Sequence, residues 1–211
     1  MRAPIAFFAL TFVASPVFAA DLPSPRPWLE KKVEEGRKLA EKESKSKDVE
    51  SWNAKSKALI DDMLDWPEMT KRSLGRQWSK IDDKQKKEFS AILREMIETS
   101  YRSKLKIASK GDVKKPKKIE IKWLEEEISG KKGKVSARVQ ADKQVAILEF
   151  STIWHDGRWH VYDVAIDDVS TVRTYRSQFR KLIEKEGFEE LLSRMRKKIE
   201  DIRAGRGELG P

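Results

Sequence analysis

The sequence contains no cysteine. A disulfide framework, a thiol nucleophile and a cysteine metal site are therefore all excluded. Histidine is almost as scarce: the 211 residues hold two, His155 and His160. There is no glycine-rich loop of the kind that cradles a phosphate. Ser170 lacks a nucleophile-elbow setting and reads better as a helix cap. Beyond the first twenty residues, no apolar stretch is long enough to cross a bilayer. No internal repeat and no domain linker interrupts the chain. What the chain has in quantity is charge. Charged residues make up 38%, matching the 38% that are hydrophobic, and 45 basic residues against 35 acidic ones give a formal net charge of +10. The apolar fraction suffices for a core, and the charge implies a heavily solvated surface.

Residues 1–19 read as a secretory signal peptide. Met1-Arg2 is a short positive start, Ile5 to Val13 is almost wholly apolar, and Val17 and Ala19 suit cleavage after Ala19. The alternative, an uncleaved anchor, asks a short segment to span a bilayer. No cysteine follows the cleavage point, so a lipoprotein is not expected. The mature chain is expected to be soluble and exported, which changes the meaning of its basic charge. Outside the cytoplasm the natural counterparts are anionic phospholipid headgroups or an acidic protein patch, and not nucleic acid. Simple solubility is the bland alternative.

Along the rest of the chain, spacing predicts helices, then a sheet, then helices. Asp21 to Pro27 is an extended leader. A charged helix over 28–46, with Trp28, Leu29, Val33 and Leu39 as a thin apolar seam, is expected to clamp the domain surface. Asp65 and Asp82 are helix-start signals; Asp82 and Gln85 make a capping-box pair. Met69, Leu74 and Trp78 follow the first signal. After the second comes the clearest stripe in the chain: Phe89, Ile92, Leu93, Met96, Ile97, Tyr101 and Leu105, on a helix of about 22 residues. Alternating strands run from Ile119, with turns at Gly130 to Gly133 and at Asp156-Gly157. A second helix carries Val172, Tyr175, Phe179 and Ile183, and Gly187 separates it from a last one with Leu191, Leu192, Met195 and Ile199. The expected fold is α+β: a four-stranded antiparallel sheet, extendable to five strands, packed against several helices. It forms a single domain over 20–203 and ends in a flexible tail over 204–211.

Candidate chemistry is sparse. His155 and His160 flank a turn, so their side chains need not converge; they read as exposed turn residues and not as a metal pair. Glu125-Glu126-Glu127 reads as a strand end, and the lysine run Lys114 to Lys118 as a solvated loop. Asp163 stands out because it lies inside an otherwise apolar strand, where a carboxylate needs a partner. Arg173 or Arg176 on the following helix is in reach, which predicts a structural ion pair. The sharper alternative makes Asp163 the acid of a small cone-shaped α+β enzyme, although no second catalytic group accompanies it. A third possibility is a structural adaptor without a cavity.

Two blocks carry a family resemblance. In the first, Trp159, Val161, Asp163, Val164, Val169, Ser170, Tyr175, Arg176, Gln178, Phe179 and Gly187 fall in the order of a Trp-x-Val-x-Asp-Val strand, a Val-Ser turn and a Tyr-Arg, Gln-Phe helix. In the second, Leu74, Gly75, Trp78, Gln85, Phe89, Thr99, Tyr101 and Leu105 follow a Leu-Gly, Trp, Gln, Phe, Thr-Tyr run. Together they resemble the MlaC family, the toluene-tolerance type of periplasmic phospholipid carrier. Asp168 departs from the pattern, standing where the family turn usually has glycine. The resemblance implies a non-enzymatic periplasmic carrier with an acyl-chain cavity between sheet and helices. Such a carrier shuttles phospholipid between an outer-membrane lipoprotein complex and an inner-membrane ABC transporter and maintains outer-membrane lipid asymmetry. It would act as a monomer without a cofactor, the phospholipid being cargo. On this view Met69, Leu74, Trp78, Phe89, Leu93, Met96, Ile97, Tyr101, Val172, Tyr175 and Phe179 wall the cavity. Leu148, Phe150 and Val161 floor it, and Asp163 with Arg176 is the structural ion pair.

Overall fold

The computed structural model describes residues 22–43, 49–110, 119–141 and 144–206, without the side chains of 40–43, 49–50, 52–53 and 101–110. The expected signal peptide, the lysine-rich break at 111–118 and the end of the tail lie outside the described residues. The elements are α1 (Pro25–Glu43), α2 (Val49–Met63), α3 (Trp66–Leu74), a 3-10 helix (Gly75–Lys80) and α4 (Asp83–Lys110). Strands β1 (Ile119–Ser129), β2 (Lys132–Ala141), β3 (Gln144–His155), β4 (Arg158–Ile166) and β5 (Val169–Ser170) follow, then α5 (Thr171–Glu186) and α6 (Phe188–Arg203). The strands form one antiparallel meander in the order β1-β2-β3-β4-β5, so the fold is α+β with a five-stranded sheet.

Local signals set the helix starts. The Asp65 carboxylate accepts the Glu68 N–H at 2.8 Å and begins α3, with Pro67 in the first turn. At α4 the capping box closes both ways: the Gln85 N–H donates to Asp82 Oδ1 at 2.8 Å, and the Asp82 N–H donates to Gln85 Oε1 at 3.2 Å. The 28-residue α4 is longer than its expected stripe. An ion-pair network of Lys57 and Asp61 with Arg94 and Glu98 ties α2 to it.

The first helix is a correction to the expected surface clamp. It starts at Pro25, and Leu29 is 0% exposed, packed with Val135, Phe150 and Val161 of the sheet. The chain before it is pinned as well, because the Trp159 indole donates to the Pro23 carbonyl at 2.6 Å. Close approach at this end requires glycine in β2. A Cβ on Gly133 would lie 2.7 Å from Thr152 Oγ1 and 3.0 Å from Pro25 Cγ. Gly133→Ala is therefore expected to cost about 1–3 kcal/mol, read as a lower urea midpoint at unchanged slope. An unchanged midpoint would mean that α1 can lift off the sheet freely.

Strand β4 contains a bulge. Thr152 pairs with Val161 and Ser151 with Asp163, leaving Tyr162 as an extra residue. The apolar positions Val161 and Val164, three apart, thereby come to the same face. Asp163 is turned to the opposite face, towards α5. Tyr162 is held by the Arg72 guanidinium, 4.1 Å above its ring.

Candidate functional site

The turn from β4 into α5 builds the polar centre of the fold. Asp167 and Asp168 take φ values of +46° and +66°, the left-handed pair that a two-residue hairpin needs, so aspartate here occupies a conformation usually given to glycine. Asp167 fastens the turn to β3 by accepting the Ile147 N–H at 2.8 Å. Behind it the buried Asp163 carboxylate accepts the Ser170 hydroxyl at 2.5 Å and the Val172 N–H at 3.0 Å. Ser170 Oγ in turn accepts the Arg173 N–H at 2.9 Å. The expected Asp163–Arg176 ion pair is thus corrected: the partners of Asp163 are a hydroxyl and a backbone amide at the start of α5. A helix N-terminus supplies the donors and partial positive charge that a buried carboxylate needs. Arg176 is exposed, and its stem lies against Gly75 at the end of α3.

Most of the residues expected to line one cavity fall into two apolar clusters. Leu74, Phe89, Leu93, Met96, Tyr175 and Phe179, with Trp78 and Ile97 at the margin, pack against Leu191, Leu192, Met195 and Ile199 of α6. Phe89 meets Phe179 edge-on at 5.6 Å, and Tyr175 stacks on Phe179 at 5.3 Å. Burial pushes the Tyr175 phenol up to about 12, so it stays neutral at any physiological pH. This is a close-packed helical core. Phe150 and Val161, with Leu148 beside them, belong to the second cluster, under α1. Met69 and Val172 are buried but belong to neither cluster. Tyr101 lies outside the described side chains.

The sheet itself shows a different surface. Its register sets Ile121, Val139 and Ala146 in one row, Trp123, Ala137, Leu148 and Ile166 in a second, and Val135, Phe150 and Val164 in a third. These rows share one face. Val135, Ala137 and Phe150 are buried, but the other members are half-buried, and Ile166 is 51% exposed. Among the described residues, α1 covers this face at one end, and the half-buried and exposed members beyond it form an apolar trough. Along its edge a groove of about 210 Å³ runs between α1 and β1, lined by Val33, Ile119, Ile121 and Trp123 with Glu30, Glu34 and Arg37. Among the described residues no group of three histidine, aspartate or glutamate side chains is placed to hold a metal ion.

A model of the MlaC protein family matches residues 36–197. The chain belongs to the MlaC family. The fold agrees with a solved phospholipid-binding protein from Ralstonia solanacearum, determined in complex with a phospholipid. The two superpose with a TM-score of 0.70 at 16% identity, over 86% of this chain and 99% of that one. A comparison with curated proteins gives no match.

One arrangement in this MlaC chain departs from the sequence expectation. His155 and His160 do converge: their rings stack in parallel, 4.1 Å apart, and His160 is buried. As the imidazolium, His155 donates from Nε2 to Asp65 at 2.6 Å and from Nδ1 to Asp156 at 2.9 Å, so it joins the end of β3 to the start of α3. The Asp156 hydrogen bond, opposed by burial and reinforced by Asp65, holds the His155 pKa above its ordinary value. Burial, with the charges of Arg158 and His155, holds that of His160 below it. The signs oppose each other. From the ordinary value near 6.5 up to the raised value, the folded state binds more protons at His155, so stability falls as pH rises. Between the lowered value of His160 and about 6.5 the unfolded state binds more, so stability rises with pH. Thermal unfolding midpoints between pH 5 and 8.5 are expected to pass through a maximum. In His155→Gln the decline on the alkaline side should shrink; an unchanged decline would remove His155 as its cause.

Proposed function

We propose that this protein is a phospholipid carrier of the periplasm and not an enzyme. The observation that carries the reading is the apolar trough on the sheet, a hydrocarbon-matching surface that the described helices leave partly uncovered. Family membership and the phospholipid complex of the Ralstonia protein support it. Transfer physics supports it too. Two acyl chains of about 16 carbons hold ~30 methylenes, and at about 0.8 kcal/mol each their exposure to water costs on the order of 24 kcal/mol. Lipid crossing an aqueous compartment needs a shield of this kind.

On this reading the acyl chains lie against the trough of Trp123, Leu148 and Val164, with Met69 adapting to their shape. The chain is exported by its N-terminal segment and works as a monomer. It collects and delivers lipid at an outer-membrane lipoprotein complex and an inner-membrane ABC transporter, sustaining outer-membrane lipid asymmetry. Asp163 is unsuited to acid–base catalysis because both its oxygens are engaged in holding α5.

Mass spectrometry of mature protein purified from the periplasm without detergent tests the reading. Near-stoichiometric diacyl phospholipid is expected. Protein that arrives empty and stays empty after incubation with phospholipid vesicles would overturn it and favour an adaptor.

A further inference from the structure

Between the 3-10 helix and α5 lies a cleft of about 520 Å³. Arg76 and Lys80 line one wall, and Arg173, Arg176 and Arg180 the other; Glu184 is the one acidic residue in the lining. The arginines of α5 are three and four residues apart, so they project from the same face of the helix. Their state is unlike that of most other described arginines. Among the described residues, every arginine outside the cleft except Arg138 forms an ion pair with a carboxylate. None in the cleft does: Arg173 donates to the Asp168 carbonyl, and the others keep their donors free. Cations held together without counter-charges repel one another, which is a cost to the fold unless an anion completes the set.

The wall is also built for one of them. Gly75 has φ of +59°, and a Cβ there would stand 2.8 Å from Arg176 Cδ. Glycine at this position lets the arginine stem lie close against the end of α3. Guanidinium forks lining one concavity suit the oxygens of a phosphate, which take paired N–H donors. A bilayer surface or a protein face needs a broad convex or flat patch and would leave such a cleft unfilled.

We infer that the cleft of Arg76, Lys80, Arg173, Arg176 and Arg180 is a phosphate-binding site. The phosphate belongs either to the headgroup of bound lipid or to a free phosphomonoester; the first source rests on the carrier reading, and the site itself does not.

Glycerol 3-phosphate, which carries the phosphate without acyl chains, is the probe. Calorimetric titration of the delipidated mature chain is expected to show binding that weakens with salt. Arg176→Gln/Arg180→Gln should weaken it about tenfold or more for each arginine lost. Arg138→Gln/Lys122→Gln, which removes the same charge from the sheet, should leave it unchanged. Protein preloaded with phosphatidylglycerol then separates the sources. Refusal of the probe means that the headgroup phosphate already fills the cleft; undiminished binding means a free phosphate compound. The site is overturned if the cleft variant binds the probe as well as wild type. It is equally overturned if neither binds and the variant instead loses attachment to phosphatidylglycerol-containing vesicles or to an acidic protein, which would make the cleft a docking surface. Failure of the protein to load lipid would sink the carrier reading while leaving the titration to decide the cleft.

Discussion

Asp163→Ala is expected to lose about 2–5 kcal/mol of stability, a large share of what holds a domain of this size folded. The reason is the number of groups that depend on one carboxylate. Its removal strands the Ser170 hydroxyl and the Val172 N–H, both buried, and each unsatisfied donor costs about 1–3 kcal/mol. The damage spreads because Ser170 is also the cap of α5, holding the Arg173 N–H. Asp163→Asn should fall between Ala and wild type. Its oxygen still accepts from Val172, but its NH₂ meets a Ser170 oxygen that already accepts a bond and leaves the hydroxyl hydrogen without a partner. Urea unfolding of the three proteins gives the order. Equal midpoints for Asp163→Ala and wild type would mean that the β4–α5 junction is held by packing alone. Lipid loading separates this role from a catalytic one: Asp163→Asn protein that folds should carry as much lipid per molecule as wild type.

The same junction shows how far sequence reasoning reaches. Ser170, Asp65 and the Asp82–Gln85 pair are caps whose donors lie three residues away, so local spacing contains the whole interaction. The stripe of Val172, Tyr175 and Phe179 is buried as its period predicts. The need of Asp163 for a partner was legible as well, because a carboxylate in an apolar strand cannot stand alone. Which partner it takes was not, since a hairpin turn and a bulge decide which way the carboxylate points. A signal for that bulge exists: Val161 and Val164 are apolar at a spacing of three in a strand whose period is two. The stacking of His155 on His160 follows from positions on facing strands that only the register settles. The largest gap concerns the helical stripe on α4. Periodicity says that a face is buried but not against what, and here α6 packs against it. The exposed members of the sheet rows were readable only as alternation, which looks the same whether helix, lipid or water covers them.

That difference makes the second large effect decisive. Leu148→Glu and Val164→Glu are each expected to reduce phospholipid loading by at least about tenfold, because an ionised carboxylate set against hydrocarbon must be desolvated without a partner. Both positions are half-buried, so the empty protein can turn the new carboxylate to water and stay folded. Ile166→Glu, at the open end and 51% exposed, repeats the test where the fold is least at risk. Leu93→Ala is the opposite case. Leu93 is 0% exposed inside the helical cluster, so truncation should cost about 2–5 kcal/mol of stability while the molecules that remain folded load normally. Lipid per folded molecule, measured by mass spectrometry beside a urea midpoint for each variant, therefore separates lining from core. If Leu93→Ala empties the folded protein and the three trough variants stay loaded, the acyl chains lie among the helices and the sheet face is covered by something else.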